Sequence, residues 1–365
     1  MYAARLANAL KQRVDVEIFG MGGDQMRAAG VDVVTDYREV SVVGITEILS
    51  HLPSLMRAMR RLVFEARRRK PALAILTDFP GFHLRLARKL RPLGVKNVYY
   101  ICPQFWAWRP WRVRLVRRRF ALALCIFPFE EKFFGDAGVP VKFIGHPLVG
   151  QVHASKSRAE FCASHNLDPA KPIVTLLPGS RHAELAQHLP ILRDASAQIH
   201  AALPVQFVVA AAPGRVAELR NGWPGQLDLR VVEGETYDAL AAADAATISS
   251  GTATVEAALL DAPMVVVYRV TPLTAFLAKP LVRTEFFGMV NLIAGRRVVP
   301  ELIQNDFTAH NVAQEILKLL KDPAAIAEMR RNLADVRTRL GPAGAAERAA
   351  DAIVDLLERA SGNAS

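Results

Sequence analysis

The sequence predicts an α/β fold of two Rossmann-like domains facing each other across a cleft. Three observations predict it. Short apolar, β-rich runs alternate with helical patterns along most of the chain, as in parallel α/β architecture. Between Gly145 and Pro172 a seam of mixed Pro, Gly, Ser and charge, HPLVGQVHASKSRAEFCASHNLDPAKP, parts two such series. A chain of 365 residues also exceeds what one average core organises.

In the first half, strands are expected at 14–19, 73–76, 97–101, 122–127 and 142–144. Helices are expected over 2–12, 23–29, 46–69, 82–92, 109–119 and 129–135. In the second half, strands fall at 173–177, 205–210, 229–232, 245–248 and 264–268, with helices over 181–202, 236–242 and 252–260. After Phe307 the pattern is helical to the end, with breaks at Asp322-Pro323 and Gly341-Pro342. The expected domains are 1–150 and 151–335. Ligands of open α/β sheets bind at the carboxyl ends of the strands, which brings forward the loops at 77–82, 102–108, 178–181 and 249–252.

Composition narrows the function. With 51% hydrophobic and 22% charged residues, the chain reads as a globular enzyme and not as a disordered segment. No uninterrupted apolar run approaches the roughly 18–20 residues of a spanning helix, and the N-terminus reads as an amphipathic helix, MYAARLANAL, instead of a signal peptide. Cys102, Cys125 and Cys162 are widely spaced and form no CxxC pair, which speaks against structural zinc and disulfides and fits a reducing cytoplasm. The net charge of +11 favours a polyanionic partner, nucleic acid or an anionic membrane surface. Much of that charge lies in 57–70 and 109–119, where a plain solvated basic face is the competing reading.

Two loops in the second half suit a diphosphate. LLPGSR (176–181) follows a strand and opens a helix, with Ser180 expected as N-cap and Arg181 beside free backbone N–H groups that favour an anion. SSGTATVE (249–256) repeats the arrangement. Gly251 allows close backbone approach, Ser250 and Thr252 offer hydroxyls, and Glu256 is placed to accept a ribose hydroxyl. Each loop alone is what any capped helix after a strand would show; the pair is what favours diphosphate binding. GxxxxGK[ST], GxGxxG and DxD motifs are all missing, which argues against a P-loop nucleotidase, a dehydrogenase and a metal-bridged diphosphate.

Asp78 in TDFPGF (77–82) ends an otherwise apolar strand, where a carboxylate can take a proton from a sugar hydroxyl. Capping of the next helix is an equal reading. CPQFWAWRPWRVR (102–114) interleaves tryptophans and arginines, as an interfacial belt, a sugar or acyl wall, or a nucleic-acid stacking platform would. In 40–70, apolar side chains that include Ile48, Leu49 and Leu52 recur at helical spacing beside arginines, a pattern shared by interfacial helices and ordinary core helices.

GITEIL, TDFPGF, PQFWAWRPWR, FPFEEKFF, FIGHPLV, LLPGSRHAE, SSGTATVE, APMVVVYRV and MVNLIAGRRVVPELIQ occur in this order from residue 44 to 304. Together they resemble lipid-A-disaccharide synthase, end to end. The resemblance implies a GT-B type fold whose C-terminal helix, here 336–365, packs back on the first domain or is exchanged in a homodimer. It implies an inverting, metal-independent glycosyltransferase of lipid A and lipopolysaccharide biosynthesis, without a cofactor. Its substrates would be UDP-2,3-diacylglucosamine and 2,3-diacylglucosamine 1-phosphate (lipid X), whose 6-hydroxyl attacks the anomeric carbon to give a β-1,6 disaccharide and UDP. Asp78 matches the family's general base. Arg181, Asn291 and Gln304 match positions needed for activity or donor binding, and Ser250, Gly251, Thr252 and Glu256 match the diphosphate and ribose contacts. Ile48, Leu49, Leu52, Trp106, Trp108 and Arg109 match the acceptor and membrane face. The place implied is cytoplasmic, peripheral on the inner face of the inner membrane, with an anionic lipid surface and no nucleic acid as partner.

One departure concerns the start. The family opens with a hydrophobic strand and a GExSGD loop ahead of the helix seen here as YAARLANAL, and this sequence starts at Met1-Tyr2. The expectation is that Met1 is an internal methionine of a longer frame, and that 1–365 alone has a destabilised first domain and little activity. The alternatives are another GT-B transferase acting on a lipid-linked acceptor, a UDP-sugar epimerase, or a basic nucleic-acid-binding module.

Overall fold

The computed structural model describes residues 1–39, 52–278 and 284–362, and they fall into two units: Met1–Val149 with Gly341–Ser365, and Gly150–Leu340. In the first unit, β1 (Phe19–Gly22) and β2 (Asp32–Asp36) pair in parallel, and β3 (Leu73–Thr77), β4 (Lys96–Tyr100), β5 (Leu122–Cys125) and β6 (Val141–Phe143) form a parallel sheet in that order. The strand expected at 14–19 is displaced. Pairing begins only at Phe19↔Asp32, because β2, not predicted from the sequence, reaches no farther back; ahead of it Asp15 and Glu17 lie exposed. The strand expected to run to 127 stops at Cys125, where its β6 partner ends at Phe143.

Helix Pro80–Leu90 starts two residues before the expected 82 because Pro80 takes its first turn, where a missing N–H costs nothing. Of the helix expected over 109–119, Pro110–Arg112 is a short 3-10 turn and only Val113–Arg119 is α-helical; a separate helix, Phe105–Trp108, precedes it and ends before Pro110, which cannot continue a helix. The described part of the helix expected over 46–69 is Leu52–Arg69, which buries Ala58, Leu62 and Ala66; Ile48 and Leu49 lie outside the described residues. These helices and the sheet bury Leu76, Phe82, Tyr99, Phe105, Val116 and Phe134, each large side chain contributing roughly 1.5–3 kcal/mol. Helix Ala345–Gly362 belongs to this unit. It packs on helix Tyr2–Lys11, with Arg13 Nε 2.5 Å from Asp351 Oδ1 and Arg348 Nε donating to the Ile144 carbonyl at 2.8 Å.

In the second unit, β7 (Ile173–Leu177), β8 (Gln206–Ala211), β9 (Leu229–Glu233), β10 (Ala245–Ser249), β11 (Met264–Tyr268) and β12 (Glu301–Ile303) form one parallel sheet in the order β12-β11-β10-β7-β8-β9. Strands β7, β8 and β10 are buried at every residue. Their unbroken uncharged runs suit a sheet covered on both faces. The seam is more ordered than a linker. It holds helix Arg158–Ser164, which opens on a capping box of Ser157 and Glu160. The Asp238 carboxylate accepts from Ser155 N, Ser155 Oγ and Lys156 N at 2.6–2.9 Å, fixing the seam to the sheet's helices. The helical tail resolves into Ala309–Lys321 and Pro323–Arg339, parted at Asp322, whose side chain caps the second.

Candidate active site

Chain order makes the second sheet doubly wound. From β7 the chain moves outward through β8 and β9, then returns to lay β10 on β7's other side. Ligands of such sheets bind where the order reverses, beyond the carboxyl ends. Here that point lies between β7 and β10, with Leu177 paired to Ile248, so the loops 178–181 and 250–252 leave the sheet side by side.

The two loops differ in what they offer. In the first, the Glu184 carboxylate accepts from Ser180 N at 3.1 Å and Arg181 N at 3.3 Å, and holds Arg181 Nη1 at 2.6 Å. The amides of Ser180 and Arg181 are thus occupied, those of His182 and Ala183 meet no acceptor among the described residues, and the N-cap is Arg181, not Ser180. Gly179 makes this possible. Its φ is +122°, and a Cβ there would lie 2.7 Å from Glu184 Oε2. Beside the His182 and Ala183 amides stands the Arg181 guanidinium, its side chain 78% exposed.

The second loop is open. Gly251, with φ +150° and nothing within 4 Å of where a Cβ would stand, lets the chain turn so that the N–H groups of Gly251, Thr252 and Ala253 meet no acceptor among the described residues. Three successive free amides are a ready anion cradle. Ser250 Oγ donates to the Phe287 carbonyl at 2.6 Å, while Thr252 is exposed. Glu256, one turn on, accepts from Tyr237 Oη at 3.1 Å. Burial raises its pKa, and the tyrosine bond opposes the rise.

Asn291 and Gln304 do not present free amides. Asn291 is fully buried. Its Nδ2 donates to Val299 O at 3.0 Å and Glu301 Oε1 at 2.8 Å, and its Oδ1 accepts from Val298 N and Val299 N at 2.7 and 3.0 Å. Those four bonds exhaust the side chain. Glu301, unnoticed in the sequence, also accepts from Phe287 N and Gly288 N, so the pair braces the segment that Ser250 grips. Gln304 Oε1 accepts from Val270 N at 2.7 Å. His188, equally unnoticed, is fully buried and joins two strand-end loops. Its Nδ1 lies 2.7 Å from the Pro178 carbonyl, and its Nε2 accepts from Arg269 N at 2.9 Å. Nε2 also lies 3.1 Å from the Arg269 carbonyl; burial holds the ring's pKa down against the bonds to the Pro178 and Arg269 carbonyls.

In the first unit, Asp78 follows β3. Seven described non-glycine residues have left-handed φ; Lys70, Asn166 and Asp261 merely end helices, whereas Asp78, Phe79, Ile101 and Gln304 sit just past strand ends. At Asp78 (φ 53°) and Phe79 (φ 44°) the strain is consecutive, roughly 1–3 kcal/mol for each residue. Two buried donors offset part of it by meeting on the Asp78 carbonyl: Tyr99 Oη at 3.1 Å and His83 Nδ1 at 2.6 Å. Burial keeps His83 below its ordinary pKa, against the pull of this bond and of the Asp78 charge. The Asp78 side chain is not a cap. Phe79 is the N-cap of the next helix, no side chain caps that helix, and the exposed carboxylate makes no hydrogen bond or ion pair among the described residues.

Past β4, the tryptophans divide. Trp106 turns inward, its Nε1 donating at 3.0 Å to Glu130 Oε1, which leaves it off any outer face. Glu130 is fully buried and also accepts from Ile126 N and Phe127 N; burial pushes its pKa up to about 7 against these three donors. Trp108 and Trp111 face outward, with Arg109 4.6 Å from the Trp108 ring. Leu52, Met56 and Phe64 are likewise exposed on their helix, Phe64 at 63%. No helix among the described residues is long and apolar enough to cross a membrane, and none of their His, Cys, Asp or Glu side chains cluster in threes to hold a metal.

The profile of the family described as lipid-A-disaccharide synthetase matches residues 1–353. A lipid-A-disaccharide synthase of Solibacter usitatus is 46% identical over 360 residues, covering 98% of this chain and 94% of its own. One of Myxococcus xanthus is 42% identical, with 98% and 94% covered. The chain belongs to the lipid-A-disaccharide synthase family. Membership in that family makes it a glycosyltransferase and sets aside the epimerase and nucleic-acid-binding readings. Solved structures agree on the GT-B fold alone. The Staphylococcus aureus MnaA–UDP co-structure superposes with a TM-score of 0.67 at 14% identity over 98% of this chain and 93% of that one. The calicheamicin glycosyltransferase CalG4 gives 0.58 at 18%, over 98% and 94%. For a lipid-A-disaccharide synthase family member, the groups that hold the loops in place (Glu184, His188, Glu301, Tyr99) are the ones sequence reading passed over.

Proposed function

We propose that the chain transfers 2,3-diacylglucosamine from UDP-2,3-diacylglucosamine to the 6-hydroxyl of 2,3-diacylglucosamine 1-phosphate, with inversion, on the inner face of the inner membrane. The observation that carries the chemistry is Asp78: a carboxylate without partners among the described residues, on a backbone that two buried donors clamp. In this reading Asp78 takes the proton of the acceptor hydroxyl as its oxygen bonds to the donor's anomeric carbon. The bond from that carbon to the diphosphate breaks on the opposite side, and UDP leaves with the electron pair.

The developing charge falls on the amides of Gly251, Thr252 and Ala253 and on Arg181, so the reading needs no metal. Glu256, held by Tyr237, accepts a ribose hydroxyl. Asn291 and Gln304 act by holding loops and not by touching the donor. The outward Leu52, Met56, Phe64, Trp108 and Trp111, beside arginines, support peripheral attachment to an anionic bilayer. Incubating the protein expressed from its longest in-frame coding sequence with both substrates in detergent micelles tests the reading. Equal amounts of disaccharide and UDP should form, unchanged by EDTA; no product, or product lost on chelation, contradicts it.

A further inference from the structure

We propose that a groove between helices Leu52–Arg69, Pro80–Leu90 and Val113–Arg119 is the acceptor subsite, taking the phosphate and one acyl chain of the acylated glucosamine 1-phosphate. The inference rests on the function proposed above and assigns a role to Arg85, Arg88 and Lys89, which neither the motifs nor the loop geometry singled out. The groove encloses about 700 Å³, within the range of pockets that hold a small ligand. Its apolar lining comes from Met59, Val63, Leu84, Leu93 and Leu115. Arg67, Arg85, Arg88, Lys89, Arg112 and Arg119 line it as well, and among the described residues no carboxylate does.

That imbalance is local. On the same helix as Arg67, Glu65 pairs with Arg68 and Arg69 at 2.6 and 2.8 Å, whereas among the described residues none of the groove's cations pairs with a carboxylate; Arg119 donates to the Leu84 carbonyl at 2.9 Å and Arg112 lies over the Trp108 and Trp111 rings. Burial holds the Arg112 guanidinium below its ordinary pKa, and the charges of Arg109 and Arg85 add to this. Arg119 is lowered in the same way, by burial and then by Arg88 and Arg118. Crowded cations over an aliphatic floor are the complement of an anion that carries a hydrocarbon chain. A nucleic acid would want stacking rings on that floor, and it has none. The link to the reaction is Gly81. It is part of the lining and stands three residues past Asp78 in the first turn of helix Pro80–Leu90, which puts one end of the groove within a helical turn of the candidate base along the chain. A molecule that offers its hydroxyl there and a phosphate to the groove fits the acceptor, because the donor's diphosphate is already assigned to Arg181 and the 251–253 amides.

The test is a double variant, Arg85→Ala with Arg88→Ala, both exposed on one helix, its folding checked by thermal melting. Kinetics are measured in detergent micelles at saturating donor, with diacylglucosamine 1-phosphate and with diacylglucosamine lacking the phosphate. The KM for the phosphorylated acceptor should rise about tenfold or more, the loss expected for one charge-assisted phosphate contact, with kcat and UDP affinity unchanged. The unphosphorylated acceptor should serve both enzymes equally. An unaltered preference for the phosphorylated acceptor overturns the proposal. So does a variant that keeps its acceptor KM but no longer binds phosphatidylglycerol–phosphatidylcholine vesicles, which would assign the groove to the bilayer. Asp78→Asn run alongside separates the two readings: full activity in that variant removes the base while leaving the groove result intact.

Discussion

At Asp78 the chain holds a conformation that glycine would take without steric cost. Both Asp78 and Phe79 are left-handed, and strain of this kind persists only where surrounding contacts over-determine it. The contacts are Tyr99 and His83 on one carbonyl. It follows that Asp78→Gly melts higher than Asp78→Ala, by a margin of roughly 1 kcal/mol in unfolding free energy, although neither retains a base. Equal stability of the two would show that the turn is unstrained. Tyr99→Phe removes one of the two donors without opening a cavity. It should lower kcat severalfold with KM unchanged, since a misaimed base weakens only the transition state, and a KM change instead would point to a looser acceptor site. Sequence alone could place Asp78 at a strand end but left capping open, because φ and the N-cap position are invisible in residue order.

Elements at the donor end show which interactions a sequence hides. The strand-to-helix turns at 176–181 and 249–256 are legible from Pro, Gly, Ser and Thr between a β run and a helical run. That Glu184 occupies two amides of one while the other is left open is not, since both begin with the same kinds of residue. The Ser157–Glu160 capping box was there to be read, three residues apart, inside what looked like linker composition. By contrast, β12 is three residues long, and its Glu301 meets Asn291 only after the fold brings them together. Asn291→Ala strands two buried N–H groups and loosens Glu301. Unfolding in urea should show a loss of roughly 2–4 kcal/mol, with UDP affinity falling as a consequence. A variant of normal stability that cannot bind UDP would show that Asn291 touches the donor after all.

Over the whole molecule, the second unit's sheet was readable because its buried strands β7, β8 and β10 are uncharged, mostly apolar runs of five or six residues. The early strand and the shortened helix after Pro110 were not, since pairing register and Pro110 decided them. Acid stability is also a property of this scale. Burial holds His83 and His188 below their ordinary pKa and His146 at about 4. The folded state therefore resists protonating them, and stability falls as pH drops from about 6.5 toward 4. Glu130 works the other way. With its pKa raised to about 7, it stabilises the protonated folded state below the ordinary carboxyl range, and this is lost as pH rises to 7. Removing it in Glu130→Gln should steepen the loss of stability between pH 7 and 4.5, followed by urea midpoints; an unchanged slope would mean the buried carboxyl stays ionised throughout. The central claim, glycosyl transfer with Asp78 as base, is tested most directly by single-turnover transfer in Asp78→Asn with UDP binding measured on the same sample. The account predicts transfer reduced by about a hundredfold or more with UDP affinity unchanged, and transfer within a few-fold of the wild-type rate would contradict it.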